Sequence, residues 1–234
     1  MVYGESGKKP LNINIKSRMI CFWHKISVGN GNKLSSKLNY LAKKLYEQNQ
    51  HSSAWIKCIE QTLNSCGMGH VWMNPEGVNY TWLKDAIEQR LSDMYIQDWH
   101  SQVGSMRSCT SYRLFKPDFK REEYLALPNH YDRVNICKFR CRNVKIPVVT
   151  LGYAQENVEY ENRKCQLCDT NELGDEYHYI LKCPTFQAQR NRYLTEFYTG
   201  NPNRNKLSQL FQSSNTTVLS KLAKLIFEIN KKFR

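Results

Sequence analysis

The sequence predicts a mainly α-helical fold, in one or two helical domains, with a small zinc-knuckle-like insert of three cysteines and one histidine. Three observations predict it. Apolar residues recur at helical spacing in several segments, strand-like alternation is scarce, and one short stretch carries Cys and His at metal-ligand spacing. A length of 234 residues with 41% hydrophobic and 12% aromatic content is that of a folded chain and excludes disorder for most of it. No internal repeat is evident.

The chain opens on a loose segment with Gly4, Gly7 and Pro10, followed by Ile13 to Trp23, where the apolar spacing does not decide helix from strand. Gly29 to Asn32 form a turn, and Leu34, Leu38, Leu41 and Leu45 then mark an amphipathic helix with Lys37, Lys43 and Lys44 on its outer face. Ser52 or Ser53 caps a helix with the stripe Trp55, Ile56, Ile59 and Leu63, closed by the turn at Cys66 to Gly69. After the Asn74-Pro75-Glu76-Gly77 turn, Asn79 or Thr81 starts the longest helix, carrying Leu83, Ile87, Leu91 and Met94 as far as about His100.

The pattern breaks between Gly104 and Pro117, which divides the chain into an N-terminal region, 1–104, and a C-terminal region, 105–234, with the metal module at 163–184. Asp118 caps a short helix stopped by Pro128, and another begins near Tyr131. From Pro147 to Cys165 the chain reads as extended or irregular. Pro184 opens a helix closed by Asn201-Pro202-Asn203, and a last helix, capped around Ser214 to Thr217, carries Val218, Leu222, Leu225, Ile226, Ile229 and Phe233 on one face.

No apolar run approaches the ~18 residues of a membrane span, and the first thirty residues lack the pattern of a secretory signal. Nine cysteines, an odd number, fit thiols and a metal in a reducing compartment better than a disulfide framework, so the expected location is intracellular, cytoplasmic or nuclear. The 34 Lys and Arg against 21 Asp and Glu leave +13, which favours a polyanionic partner.

Cys165-Gln-Leu-Cys168, nine further residues, His178, four more and Cys183 supply a complete tetrahedral donor set for a single Zn2+. Four protein ligands leave no open position, so the ion is expected to be structural and to supply the free energy that orders a stretch too short to bury much apolar surface. Against this stands the reading of unrelated thiols beside a surface histidine, which the His-x4-Cys after the Cys pair disfavours. Cys137 and Cys141 lack two further ligands and read as structural thiols. His178 and Cys183 fall on a short helical stretch expected to end before Cys183.

Lys138, Arg140, Arg142 and Lys145, with Arg163 and Lys164 just before Cys165, form a basic cluster of the kind that grips phosphates beside a stacking ring. The alternative is a solvated helix face paired with Glu122, Glu123 or Glu161. The metal loop itself carries Asp169, Glu172, Asp175 and Glu176 against Lys182 alone, so the contact with RNA or single-stranded DNA falls to the flanking basic residues. Nucleotide-binding, hydrolase and metalloprotease signatures are missing, as is Tyr-x-Asp-Asp, so no catalysis and no small-molecule or membrane partner is expected.

The run from Arg163 through Cys165, Cys168, Gly174-Asp-Glu-Tyr-His178 and Cys183-Pro184 resembles the zinc-binding C-terminal region of reverse transcriptases from LINE-type (non-LTR) retrotransposons. Looser agreement extends to 10–23, 82–99, Tyr112-Arg-Leu-Phe-Lys and Lys138-Phe-Arg-Cys-Arg-Asn, and so over nearly the whole chain. The family's Leu-Pro-Ile-Glu-Thr-Gly-Arg segment reads here as Ile146-Pro-Val-Val-Thr-Leu-Gly, with Val149 in place of the acid and Gly152 in place of the Arg. The resemblance implies that Cys165, Cys168, His178 and Cys183 ligate the metal and that the region helps a reverse transcriptase core hold template RNA or target DNA. Palm and endonuclease motifs are absent. A protein-docking zinc module, with Tyr177, Tyr179, Trp82 and Trp99 meeting a partner, and a retroelement remnant without function are the other readings.

Overall fold

The computed structural model describes residues 2–50, 53–153 and 158–233. Thirteen α-helices follow one another among them: α1 (Val2–Ser6), α2 (Leu11–Val28), α3 (Leu34–Glu47), α4 (Ala54–Ser65), α5 (Gly69–Met73), α6 (Tyr80–Ser105), α7 (Thr110–Phe115), α8 (His130–Arg140), α9 (Pro147–Thr150), α10 (Gln187–Tyr193), α11 (Glu196–Thr199), α12 (Arg204–Phe211) and α13 (Thr216–Lys231). Short 3-10 turns and one π-helical turn at His178–Lys182 complete the fold. The only β pairing among the described residues is two isolated bridges, Ser6 with Arg121 and Lys164 with Leu173. The chain is mainly α, as its periodicity predicts.

Two compact units divide it: Lys9–Trp99, and Met1–Lys8 together with His100–Arg234. The division falls a few residues before the one expected at 104, inside α6, and assigns the first eight residues to the C-terminal unit.

In the unit Lys9–Trp99, the undecided Ile13 to Trp23 segment is helical and buries Ile13, Ile20 and Trp23 against Ile56, Ile59 and Leu63 of α4 and Leu83, Ile87 and Leu91 of α6. Trp23 stacks on Trp72 at 5.3 Å. Asn79 starts α6 as expected, its Oδ1 accepting the Thr81 and Trp82 amides at 2.9 and 3.1 Å. Ser53 is the N-cap of α4 but makes no side-chain bond there, and Ser52 lies outside the described residues. The leucine stripe of α3 does not form the buried face. Leu34, Leu38 and Leu41 point to solvent, while Ser36 and Asn39 are buried, Asn39 donating to Ser27 Oγ at 2.9 Å.

The C-terminal unit is built round α8 and α13. Leu222, Leu225, Ile226 and Ile229 are buried along α13 and share a core with Ile136, Phe139, Tyr179 and Phe186. Asn215 caps α13 by accepting from Thr217 N and Val218 N. The helix α12 has no counterpart in the sequence reading. Asn203 begins α12 by accepting from Lys206 N at 2.9 Å, where the sequence predicts only the end of the preceding helix. Pro184 does open a helical stretch, but it breaks into a 3-10 turn, α10 and α11. The short helix expected from Asp118 is reduced to a 3-10 turn at Glu123–Ala126, because the Glu122 amide is taken by Glu5 O at 3.0 Å. Between Pro147 and Cys165 the described residues include α9 and a 3-10 turn at Tyr160–Asn162, and 154–157 of the stretch expected to be irregular lie outside the described residues.

Candidate metal centre

Cys165 leaves the Lys164–Leu173 bridge, where its amide donates to Glu172 O at 2.9 Å, so two chain segments pair directly before the first ligand. The chain then turns so that Leu167 N donates to Cys165 Sγ at 3.4 Å, bringing Cys168 back beside it. Asn171, at φ 55°, takes the left-handed conformation that returns the loop to Leu173. Gly174 lies so close to its neighbours that an added Cβ would stand 3.0 Å from both Pro147 Cβ and Tyr179 Oη.

The second pair of ligands rests on an unusual helical turn. Five residues along an α-helix rotate a side chain by about 140° from the first, which would point His178 and Cys183 apart. Here Cys183 N donates to His178 O at 2.7 Å, the i to i+5 bond of a π-turn, and the wider turn brings both inward. The helix ends at Lys182, before Cys183, as the sequence predicts.

Together the four side chains place one ligand atom each within 4.8 Å of all the others. Cys165 Sγ and Cys183 Sγ are 3.9 Å apart, and Cys168 Sγ and His178 Nε2 are 3.3 Å apart. Bond lengths of about 2.3 Å to sulfur and 2.0 Å to nitrogen give tetrahedral edges of roughly 3.5–3.8 Å, so the cluster has the dimensions to hold one metal ion. His178 and Cys183 are buried, and Cys165 and Cys168 partly so. The free thiols have different proton affinities. Burial raises Cys168, but hydrogen bonds from Thr170, Cys165 and His178 outweigh it and hold the thiol at about 6, whereas burial pushes Cys183 up to about 11.

Outside the ligand set, Glu172 Oε2 lies 3.0 Å from His178 Nδ1, the carboxylate partner that fixes which imidazole nitrogen faces a metal. Lys182 binds the other Glu172 oxygen and, with His178, draws that carboxyl below its usual range against the opposing effect of burial. Asp175 Oδ1 accepts from His178 N at 2.8 Å while Oδ2 pairs with Arg204 of α12 at 2.9 Å. Cys183 O accepts from the buried Arg190 guanidinium at 2.6 Å. No other group of three His, Cys, Asp or Glu with metal-binding geometry occurs among the described residues, and Cys137 and Cys141 are free thiols outside any such group.

The acidic loop differs from its sequence reading. Glu172 is paired with Lys182, Asp175 with Arg204 and Glu176 with Arg142 at 2.8 Å, and Ser111 Oγ donates to Glu176 at 2.6 Å. Asp169 alone of the four acids stands exposed without an ion pair, so the loop presents little negative charge to a phosphate.

The same pairing removes two of the basic candidates. Arg140 is fully buried, held by Glu5 at 2.9 Å and Glu122 at 2.8 Å and lying over the Tyr124 ring, so it is closed to nucleic acid. Arg142 is spent on Glu176 and Ser108 O. Charge spacing alone cannot distinguish such arginines from surface ones, because Glu5 lies 135 positions away. Arg163 is half-buried and donates to Val158 O and Val148 O, both at 2.9 Å. Lys164 is half-buried, and only Lys138 and Lys145 of the six are exposed. The sequence reading missed Lys116, buried between Glu122 and Lys120 O, and Arg204.

No helix among the described residues is long and apolar enough to cross a membrane. No protein-family model, no curated protein and no solved structure matches the chain.

Proposed function

We propose that this chain is a non-catalytic, zinc-stabilised module that holds RNA or single-stranded DNA against exposed lysines of its C-terminal unit. A reverse transcriptase core of the LINE type is the partner that the resemblance of the 163–184 segment suggests. The observation that carries the reading is the closed donor set of three thiolates and one imidazole, whose surrounding acids are neutralised by Lys182, Arg204 and Arg142. Zinc suits these soft ligands, and four protein donors leave no place for a reacting water. When bound, the ion would cross-link the Cys165–Cys168 turn to the π-turn.

The test is fluorescence anisotropy of the zinc-loaded full chain with a short single-stranded RNA, titrated from ~50 to ~200 mM salt. Submicromolar binding that weakens steeply with salt is the expected result, and absence of binding at the lowest salt would refute the reading. The docking alternative draws support from exposed Leu34, Leu38 and Leu41 on α3 and from half-exposed Trp82, although Tyr179 and Trp99, two of its proposed contacts, are buried. It predicts salt-insensitive capture of a protein and no RNA binding.

A further inference from the structure

Beside the buried core shared by α8 and α13 lies an open groove of about 820 Å3. Lys138 of α8, Lys145 just before α9 and Lys224 of α13 stand on its walls, all three exposed. Among the described residues none of the three ammonium groups is in an ion pair. The one carboxylate among the described lining residues, Asp132, is buried and accepts from Ser220 Oγ at 2.7 Å. Among its described lining residues the groove therefore presents three uncompensated positive charges and no exposed acid.

Its uncharged surface has a second character. Tyr131 is 76% exposed at one edge, and Phe227 is partly exposed with Lys231 Nζ 4.5 Å over its face. Asn135 and Asn143 add side-chain amides, each with a donor and an acceptor edge. Stacking rings, amides able to meet base edges and ammonium groups for the backbone are the combination that binds a single strand with its bases unstacked. An acidic peptide would use the lysines and meet the amides with its backbone, but a run of acidic side chains offers no flat ring to stack on Tyr131.

Resting on the function proposed above, we infer that the α8–α13 groove is where the strand lies, with Lys138, Lys145 and Lys224 on successive phosphates and a base stacked on Tyr131. This places the contact on two helices and assigns a role to Lys224 and Tyr131, which lie far apart in sequence from one another and from the cysteine segment.

The experiment uses the zinc-loaded full chain and a labelled oligouridylate, comparing the wild type with Lys138→Gln/Lys145→Gln/Lys224→Gln, with Tyr131→Ala, and with Lys33→Gln/Lys37→Gln/Lys44→Gln at α3, three exposed lysines, as a charge-matched control. Removing three phosphate contacts should flatten the log–log salt dependence by about two and weaken binding at least about ten-fold at low salt. Loss of one stacked base should weaken binding about five-fold or more, with the salt slope unchanged. The α3 variant should bind as the wild type does. If the wild type binds and the triple variant keeps both affinity and slope, the groove is refuted while the general function stands. If the wild type does not bind, both fail. Displacement of the oligouridylate by poly-glutamate of equal charge as readily as by unlabelled RNA would overturn the nucleic-acid occupant in favour of an acidic protein.

Discussion

The four ligands depend on neighbours that set their protonation and direction. Cys165→Ser or Cys183→Ser leaves three donors, and the expected outcome is loss of bound zinc by elemental analysis; full retention in either variant would refute the ligand assignment. Glu172→Gln removes the carboxylate facing His178 Nδ1 at 3.0 Å, and a competitive chelator titration should show zinc affinity reduced by about 10–100-fold. Because burial raises the Cys183 thiol to about 11, binding near neutral pH must displace its proton, so affinity should rise with pH, with proton release detectable by calorimetry in buffers of different ionisation enthalpy. Arg140 demands a different test from the one its sequence neighbourhood suggests. Glu5→Gln leaves a fully buried guanidinium with one carboxylate fewer, and chemical denaturation should show a loss of about 3–5 kcal/mol from the C-terminal unit. The Cys and His pattern identified the ligand cluster because spacing constrains local geometry. The burial of Arg140 and Arg142 was hidden because their partners, Glu5 and Glu176, are distant in sequence and a basic run looks alike on a surface and in a core.

Among the helices, periodicity located most of the long ones but did not always choose the buried face. On α13 the apolar stripe is the core face, since four of its members are buried. On α3 the equally regular Leu34, Leu38 and Leu41 face outward, and the helix packs on α2 and α4 through a side that carries Ser36, Asn39, Ala42 and Tyr46 instead. A hydrophobic stripe reports helix; the tertiary partner decides which side is covered. Helix α12 escaped notice because Asn201-Pro202-Asn203 carries a stop and a start signal together, and Asn203 serves as the cap. The caps themselves have a predictable value. Asn215→Ala removes the acceptor for two amides of α13 and should cost about 1 kcal/mol in thermal or chemical unfolding of the C-terminal unit. The π-turn at His178–Lys182 could not be read from periodicity, though the five-residue His178 to Cys183 spacing already required more than an ordinary helical turn.

For the whole chain, the first eight residues complete a unit whose remainder begins at His100. Glu5 pairs with Arg140, Tyr124 Oη donates to Glu5 at 2.7 Å, and Gly7, at φ 64°, sits so close that a Cβ would be 2.3 Å from Arg121 N. Deletion of residues 1–8 should therefore raise hydrogen exchange across α7, α8 and α13 while leaving α2 and α4 protected. The metal should show the same separation of effects, because its ligands lie wholly in the C-terminal unit. The most direct measurement is native mass spectrometry of the intact chain before and after chelation, paired with hydrogen exchange on the same samples. The account predicts one zinc ion per chain, and after its removal rapid exchange at 160–200 with α2, α4 and α5 unchanged. A chain that carries no metal, or that keeps full protection at 160–200 without it, would contradict a structural metal centre.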